Sequence, residues 1–193
     1  MSGIACVIMA SGVGSRFGGN KLLAPFAGAP LLCRAFDMTE GLFGPRVLVT
    51  RYEACADLAR ERGVAAVVHD LPLRSDTVRL GIEAVPGTRG CLFLPGDQPL
   101  LTRDTLRRLK EAFEAEPDRV CRVSWQGEGG SPVLFPARCY AELACLPPGK
   151  GGGVLLRREP ERVRLVEAAS AAELMDVDTR EDLIRLEGYR QRE

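Results

Sequence analysis

Short apolar runs alternate along the chain with longer segments in which apolar residues recur every three or four positions. The runs at 4–9, 46–50, 66–69, 91–94, 120–124, 133–135 and 163–166 predict β-strands. The segments 31–38, 52–62, 75–84, 103–115, 154–158 and 180–190 predict helices. The first four strands alternate with helices and are uniformly apolar. This order predicts βαβ units and a parallel sheet that is buried on both faces.

The order of elements changes after Glu116, where two predicted strands flank the loop 126–131 without room for a crossover helix. Strands that are joined so closely pair in the antiparallel direction, so we expect an antiparallel element in the sheet. No repeat, low-complexity tract or linker divides residues 1–193, which are predicted to form one domain. The predicted fold class is Rossmann-like α/β, with a mixed, mostly parallel sheet and helices on both faces.

Composition narrows the classes of function. The 193 residues are 46% hydrophobic, which is enough for one domain with a full core. Because the charges of 26 basic and 26 acidic residues cancel, the chain has no overall positive electrostatic field that would attract nucleic acid or an anionic membrane. Seven scattered cysteines without a C-x-x-C pair predict free thiols in a reducing cytoplasm. The first apolar run lacks the basic flank of a signal peptide, and no run is as long as a membrane span.

The loop at 10–21 carries the clearest chemical signal. It reads ASGVGSRFGGNK and directly follows the first predicted strand. Glycines allow backbone N–H groups to turn toward a ligand, and successive N–H groups form an anion-binding concavity. Arg16 adds a planar fork that matches phosphate oxygens, and Lys21 adds a compact positive charge. The loop is therefore predicted to bind a polyphosphate.

Two familiar phosphate-binding loops match this segment poorly. A Walker A loop requires a hydroxyl residue after its lysine, whereas Leu22 follows Lys21. A dinucleotide-binding fingerprint requires G-x-G-x-x-G, and the glycine spacing here is one residue too long. That fingerprint also requires an acidic residue after the second strand, where this chain has Arg51. A loop that wraps a nucleoside triphosphate remains as the favoured interpretation.

Four motifs together resemble one enzyme family. The loop at 10–21 is similar to the signature L-A-A-G-x-S-x-R-M-G-x-x-K of nucleotidyltransferases of the molybdenum-cofactor type. Residues 95–101 (PGDQPLL), 130–135 (GSPVLF) and 176–183 (DVDTREDL) continue the match in the family's order and spacing. The resemblance to these molybdopterin nucleotidyltransferase-like NTP transferases spans nearly the whole chain. It implies a fold of the nucleotide-diphospho-sugar transferase type and transfer of CMP from CTP to the phosphate of molybdopterin, with release of pyrophosphate.

The resemblance also implies a magnesium ion as cofactor. Asp97 follows a predicted strand at its carboxyl end, where open α/β sheets bind ligands, and is the first implied magnesium ligand. Asp178 is the second implied ligand, although Asp178 and Glu181 also have the spacing of a helix capping box. Asp176 is a weaker candidate, because it lies one step further back along the predicted extended segment.

Contacts to both substrates follow from the same motifs. Lys21 is expected at the α-phosphate, where charge develops, and with Arg16 and Asp97 it forms the predicted catalytic set. Ser131 and Lys150 are predicted to contact the second substrate, although the glycine-rich segment 149–153 also fits an ordinary loop before a helix. The predicted nucleotide-binding residues are Ala10, Ser11, Gly12, Gly14, Ser15, Arg16, Lys21, Ser75 and Gly96.

Several alternatives remain open. The chain has a single histidine, His69, which is predicted to be structural, and no zinc site is predicted. The sequences at 10–12 and 97–99 favour cytidine over guanine. A guanylyltransferase and a sugar- or polyol-phosphate cytidylyltransferase share the loop and the first aspartate. A non-catalytic nucleotide-binding or cofactor-delivery protein is the alternative from another class, and the paired carboxylates favour the enzyme. A molybdenum hydroxylase is the implied recipient of the product.

Overall fold

The computed structural model describes residues 3–190, which form an α/β domain around a seven-stranded sheet. The strands are β1 (Ile4–Ala10), β2 (Pro25–Phe26), β3 (Ala29–Pro30), β4 (Arg46–Thr50), β5 (Ala65–Val68), β6 (Gly90–Pro95), β7 (Val120–Trp125), β8 (Glu128–Pro136) and β9 (Val163–Glu167). The order in the large sheet is β5-β4-β1-β6-β8-β7-β9, and a separate two-stranded hairpin pairs β2 with β3.

Helices cover both faces of the large sheet. The helices are α1 (Cys33–Thr39), α2 (Glu53–Glu61), α3 (Arg74–Glu83), α4 (Arg103–Ala115), α5 (Tyr140–Ala144), α6 (Gly153–Arg158) and α7 (Arg180–Arg190). Helix α4 shows how the local sequence defines a boundary, because the Thr102 hydroxyl accepts the Thr105 N–H at 3.2 Å and caps the first turn. Short 3-10 turns lie at Lys21–Leu23, Ala137–Cys139, Pro160–Arg162 and Ala171–Leu174.

Two hydrophobic cores flank the sheet. Side chains alternate along β1, so that Cys6 and Ile8 enter one core while Ala5 and Val7 enter the other. Helices α1, α2, α4 and α7 contribute buried residues to the first core, and α3, α5 and α6 contribute to the second. Because both faces are covered, the central strands are apolar on both sides, as the uniform runs in the sequence predicted.

The expected antiparallel element is β8. Strands β5, β4, β1 and β6 are mutually parallel, whereas β8 pairs antiparallel with both β6 and β7, and β9 is parallel to β7. The two residues between β7 and β8 both have positive φ angles, 49° at Gln126 and 81° at Gly127. Such a two-residue turn matches the twist of a β-hairpin. The predicted mixed, mostly parallel sheet is confirmed.

The predicted strands and helices are all present, most of them with small shifts at their ends, but β8 begins well before the predicted strand at 133–135 and some elements were missed. The loop predicted at 126–131 was wrong, since β8 already begins at Glu128 and the pairing with β7 shifts register between Arg122 and Ser124. Helix α5 and the β2–β3 hairpin were not predicted. These elements have only five and two residues each, which is too short for a recognisable periodicity.

The expected free cysteines are confirmed, since all seven thiols are unpaired and Cys145 alone is exposed. Within residues 3–190, no helix combines the length and the apolar character that crossing a bilayer requires.

Candidate active site

The carboxyl ends of β1 and β6 bring together the glycine-rich loop and the first predicted metal ligand. These strands are parallel neighbours, and the Gly96 N–H donates to the Met9 carbonyl at 3.0 Å just beyond their paired residues. A Cβ at Gly96 would lie 3.0 Å from the Leu32 side chain and 3.3 Å from that carbonyl oxygen. The Val177 N–H then donates to the Asp97 carbonyl at 2.9 Å. The segment before α7 is thereby held beside Asp97.

Lys21 lies between two carboxylates at this point. Its Nζ is 2.6 Å from Asp97 Oδ2 and 3.1 Å from Asp178 Oδ1, and it donates to the Val177 carbonyl at 2.5 Å. Burial lowers the pKa of Lys21, but the charges and hydrogen bonds of Asp97 and Asp178 outweigh burial, so that the net pKa is raised. The lysine is therefore charged at neutral pH and offsets part of the negative charge of the two aspartates.

The glycine-rich loop is fixed by its backbone and by one aromatic side chain. Gly14 has a φ of +58°, and a Cβ there would lie 2.5 Å from the Gly19 carbonyl oxygen, so that the turn requires glycine. Phe17 is buried, and the Arg180 guanidinium lies 5.3 Å from its ring centroid. Arg16 Nη2 contacts Asp178 Oδ2 at 2.8 Å, but its side chain is 72% exposed and therefore available to a ligand.

Three adjoining cavities open at this edge of the sheet, and Met9 lines all of them. The phosphate cavity, of about 180 Å³, is lined by Ala10, Gly12, Gly14, Ser15, Arg16, Lys21, Asp97 and Asp178 among others. The central cavity, of about 420 Å³, is lined by Ser11, Gly12, Arg51, Leu71, Leu73, Arg74, Thr77, Asp97, Ser131 and Asp176 among others. The arginine cavity, also about 420 Å³, is lined by Arg74, Arg122, Ser131, Lys150 and Arg157 among others.

The structure therefore brings most of the predicted site residues together. Those of the loop 10–21 line the phosphate and central cavities, while Ser131 and Lys150 line the arginine cavity. Asp97 lines both the phosphate and the central cavities, and Ser131 lines both the central and the arginine cavities. The three cavities therefore adjoin one another at this edge of the sheet.

Two predicted nucleotide-binding residues line none of these cavities. The Ser75 hydroxyl is buried in α3 and accepts the Gly149 N–H at 3.1 Å, and the Gly96 N–H is already bonded to Met9. In this structure both residues position neighbouring segments. A helix sequence does not reveal that a distant loop supplies the donor for one of its hydroxyls.

His69 supports the start of the glycine-rich loop. Its Nε2 lies 2.8 Å from the Ser11 hydroxyl, which also donates to the Val49 carbonyl at 3.2 Å. Burial and then the charge of Arg51 lower the pKa of His69. His69 lines none of the three cavities, which agrees with the structural role predicted for it.

The capping box at the start of α7 differs from the one that the sequence suggested. Thr179 and Asp182 bond reciprocally, with the Thr179 N–H donating to Asp182 Oδ2 at 2.9 Å and the Asp182 N–H donating to Thr179 Oγ1 at 3.1 Å. The box predicted for Asp178 and Glu181 is therefore wrong. Because Asp182 also accepts the Asp178 N–H at 3.2 Å, the Asp178 carboxylate is left to face Lys21 and Arg16.

Asp176 lines the central cavity together with Asp97. Burial, followed by the charge of Asp97, raises the pKa of Asp176 to about 6.

Asp97 and Asp178 are the described residues that could together hold a divalent metal ion. Within residues 3–190, no three His, Cys, Asp or Glu side chains are grouped to hold a metal by themselves. Magnesium is commonly bound by one or two carboxylates, with water and substrate phosphates completing its shell. The Lys21 ammonium contacts both carboxylates, which shows that one cation can reach the two together.

The chain belongs to the MobA-like NTP transferase domain family, whose model matches residues 6–163. The fold and the family identify it as a nucleotidyltransferase.

Curated relatives differ in length and in substrate. The chain is 26% identical to molybdenum cofactor cytidylyltransferase of Escherichia coli, covering 95% of each chain. It is 27% identical to a probable molybdenum cofactor guanylyltransferase of Thermococcus kodakarensis, covering 96% of this chain and 95% of the relative. It is 29% identical to the bifunctional protein GlmU of Paracidovorax citrulli over 90% of its own length, but spans only 34% of that relative.

Solved structures support the fold. Rv0371c from Mycobacterium tuberculosis has a TM-score of 0.84 and 28% identity, covering 96% of this chain and 98% of the other. A second structure of Rv0371c, in complex with manganese, has a TM-score of 0.74 and 24% identity, covering 97% and 99%.

Proposed function

We propose that this nucleotidyltransferase uses magnesium to transfer CMP from CTP to the phosphate of molybdopterin. The contact of Lys21 with both Asp97 and Asp178, where the phosphate and central cavities meet, carries the proposal. A site for phosphoryl or nucleotidyl transfer needs cationic groups and metal-binding carboxylates around one phosphorus atom. This arrangement supplies both within a few ångströms.

The glycine-rich loop accounts for the triphosphate. The β- and γ-phosphates would lie in the phosphate cavity, against the backbone of Gly12 and Gly14 and the Ser15 hydroxyl, with Arg16 free to close on them. Lys21 would contact the α-phosphate, because it is the more buried of the two loop cations and lies beside Asp97. The base and ribose would then occupy the central cavity, which Arg51, Leu71 and Leu73 line.

The reaction is an in-line displacement. An oxygen of the acceptor phosphate attacks the α-phosphorus of CTP, the bond from that phosphorus to the bridging oxygen breaks, and pyrophosphate leaves with the electron pair. A phosphate monoester is largely dianionic near neutral pH, so that no strong general base is required. The residues instead hold two anions in line, and Lys21 offsets their mutual repulsion. A magnesium ion bound by Asp97 and Asp178 would add charge neutralisation at the transferring phosphate.

The choice of CTP rests on two short segments. Residues 10–12 and 97–99 resemble the cytidylyl-transferring members more than the guanylyl-transferring ones. The two molybdenum cofactor relatives are almost equally similar to this chain, at 26% and 27% identity, so that overall identity does not decide the base. A molybdenum hydroxylase is the proposed recipient of the product.

The binding of CTP with and without magnesium separates an enzyme from a sensor. We expect equilibrium dialysis to show that magnesium strengthens CTP binding by about tenfold or more, because the ion bridges the phosphates to Asp97 and Asp178. The comparison sample contains a chelator instead of magnesium. Affinity for CTP that is unchanged by the chelator would favour a nucleotide-binding protein without catalysis.

A further inference from the structure

The arginine cavity contains more positive charge than one acceptor phosphate needs. Four basic side chains line it, and no Asp or Glu of residues 3–190 does so. None of the four forms an ion pair with a carboxylate in the described chain, whereas the adjacent Arg158 pairs with Glu142. The four are Arg74, Arg122, Lys150 and Arg157. Unpaired cations grouped around a cavity indicate an anionic ligand.

Glycines make room for these guanidinium groups. A Cβ at Gly129 would lie 2.7 Å from Arg122 Cζ, and one at Gly151 would lie 3.1 Å from Arg74 Nε. The Arg122 Nε also donates to the Gly130 carbonyl at 2.8 Å, and this bond orients the Arg122 guanidinium group. Burial lowers the pKa of Arg122. The cation is thus held in position at the cavity without a carboxylate to offset its charge.

The cavity wall also includes apolar and aromatic surface. Phe93 and Phe135 lie edge to face, with ring centroids 6.0 Å apart. The segment 149–153 packs against this wall, since a Cβ at Gly152 would lie only 2.6 Å from the Phe135 ring. The Gly149 N–H is bonded to Ser75. The cavity therefore has apolar and aromatic surface beside its cations, which suits an apolar or aromatic body with an anionic end.

Two anion sites can be distinguished by the cavities that their residues line. Ser131 and Arg74 line both the central and the arginine cavities, so that an acceptor phosphate near them lies toward Asp97. Arg122, Lys150 and Arg157 line only the arginine cavity, away from the reacting phosphate.

We propose that the arginine cavity binds a second anionic group of the acceptor, separate from the phosphate that attacks the nucleotide, and that Arg122 and Arg157 select acceptors by this group. The inference rests on the proposed function, since it concerns the acceptor of that reaction. The substrate class is a phosphate monoester with an apolar or aromatic body and a second anion. In molybdopterin the dithiolene sulfurs supply that anion.

Direct binding tests this selection independently of turnover. Equilibrium dialysis under anaerobic conditions compares molybdopterin with erythritol 4-phosphate, whose tail is neutral, for the wild type, Arg157→Gln and Arg122→Gln. We expect Arg157→Gln to weaken molybdopterin binding by about tenfold to a hundredfold, because a hydrogen bond to a charged group is lost, and to leave erythritol 4-phosphate unchanged. Arg157→Lys should restore part of the loss.

Arg158→Gln is the matched control, because it removes the neighbouring charge on α6, which faces Glu142 instead. Steady-state kinetics should show a raised KM for molybdopterin in Arg157→Gln with the KM for CTP unchanged. The inference is overturned if both ligands bind Arg157→Gln and Arg122→Gln as they bind the wild type. If the wild type prefers molybdopterin in dialysis but never turns it over, the proposed function fails while the selective cavity stands.

Discussion

Lys21→Met is expected to reduce turnover by about a hundredfold to a thousandfold, the loss measured when one group that stabilises transition-state charge is removed. Methionine keeps most of the length of the side chain but contributes no charge to the α-phosphate. The contacts of Lys21 Nζ with Asp97 and Asp178, at 2.6 and 3.1 Å, would be lost, and Asp178 would keep its contact with Arg16. Pyrophosphate release under saturating substrates measures the loss.

The magnesium affinity of Lys21→Met distinguishes a local role of Lys21 in the site from a general loss of folded protein. Because the Lys21 ammonium competes with a metal ion for the two carboxylates, the affinity for magnesium alone should rise in Lys21→Met. Lys110→Met is the control, since Lys110 lies on α4 and lines none of the three cavities. Turnover by Lys21→Met at the rate of this control would remove Lys21 from the reaction.

Asp97→Asn is expected to reduce turnover by at least about a thousandfold, since a bound metal contributes several kcal/mol to the transition state. The substitution preserves shape but removes the negative charge that would bind magnesium. The fold should persist, because the bond that Val177 makes here goes to the main-chain carbonyl of Asp97. Circular dichroism and thermal unfolding check the fold, and pyrophosphate release checks the activity.

The control for this substitution is Asp57→Asn. Asp57 is an exposed carboxylate on α2 that pairs with Arg60 and lines none of the three cavities. Its loss should leave both turnover and the dependence on magnesium as in the wild type. Asp97→Asn that retains the wild-type rate and magnesium dependence would show that another group holds the metal.

The sequence predicted much of this site because two general rules apply to it. Glycines beside basic residues predict an anion-binding loop, which led to the loop after β1, and open α/β sheets bind ligands at the carboxyl ends of their strands, which led to Asp97 after β6. Asp178 was predicted only through the family resemblance. Its position beside Lys21 depends on the bond from Val177 to Asp97 and on the capping of α7 by Thr179 and Asp182.

The residues that sequence reasoning missed are those whose neighbours come from distant segments. Arg122 in a strand and Arg157 in a short helix look like ordinary surface cations until β8 and the segment 149–153 bring them to one cavity. Arg51 was considered only as a mismatch to a dinucleotide-binding fold, although its position directly after β4 also indicates a residue at the ligand-binding edge of the sheet. Periodicity shows which face of an element is buried, but not which loops meet beside it.

Formation of the dinucleotide product tests the central claim most directly. The purified protein is incubated anaerobically with molybdopterin, magnesium and each of CTP, GTP, ATP and UTP, and both pyrophosphate and the molybdopterin dinucleotide are measured. The account predicts product with CTP alone. Product with GTP instead would contradict the assigned base, and no product with any nucleotide from folded protein would contradict molybdopterin as the acceptor.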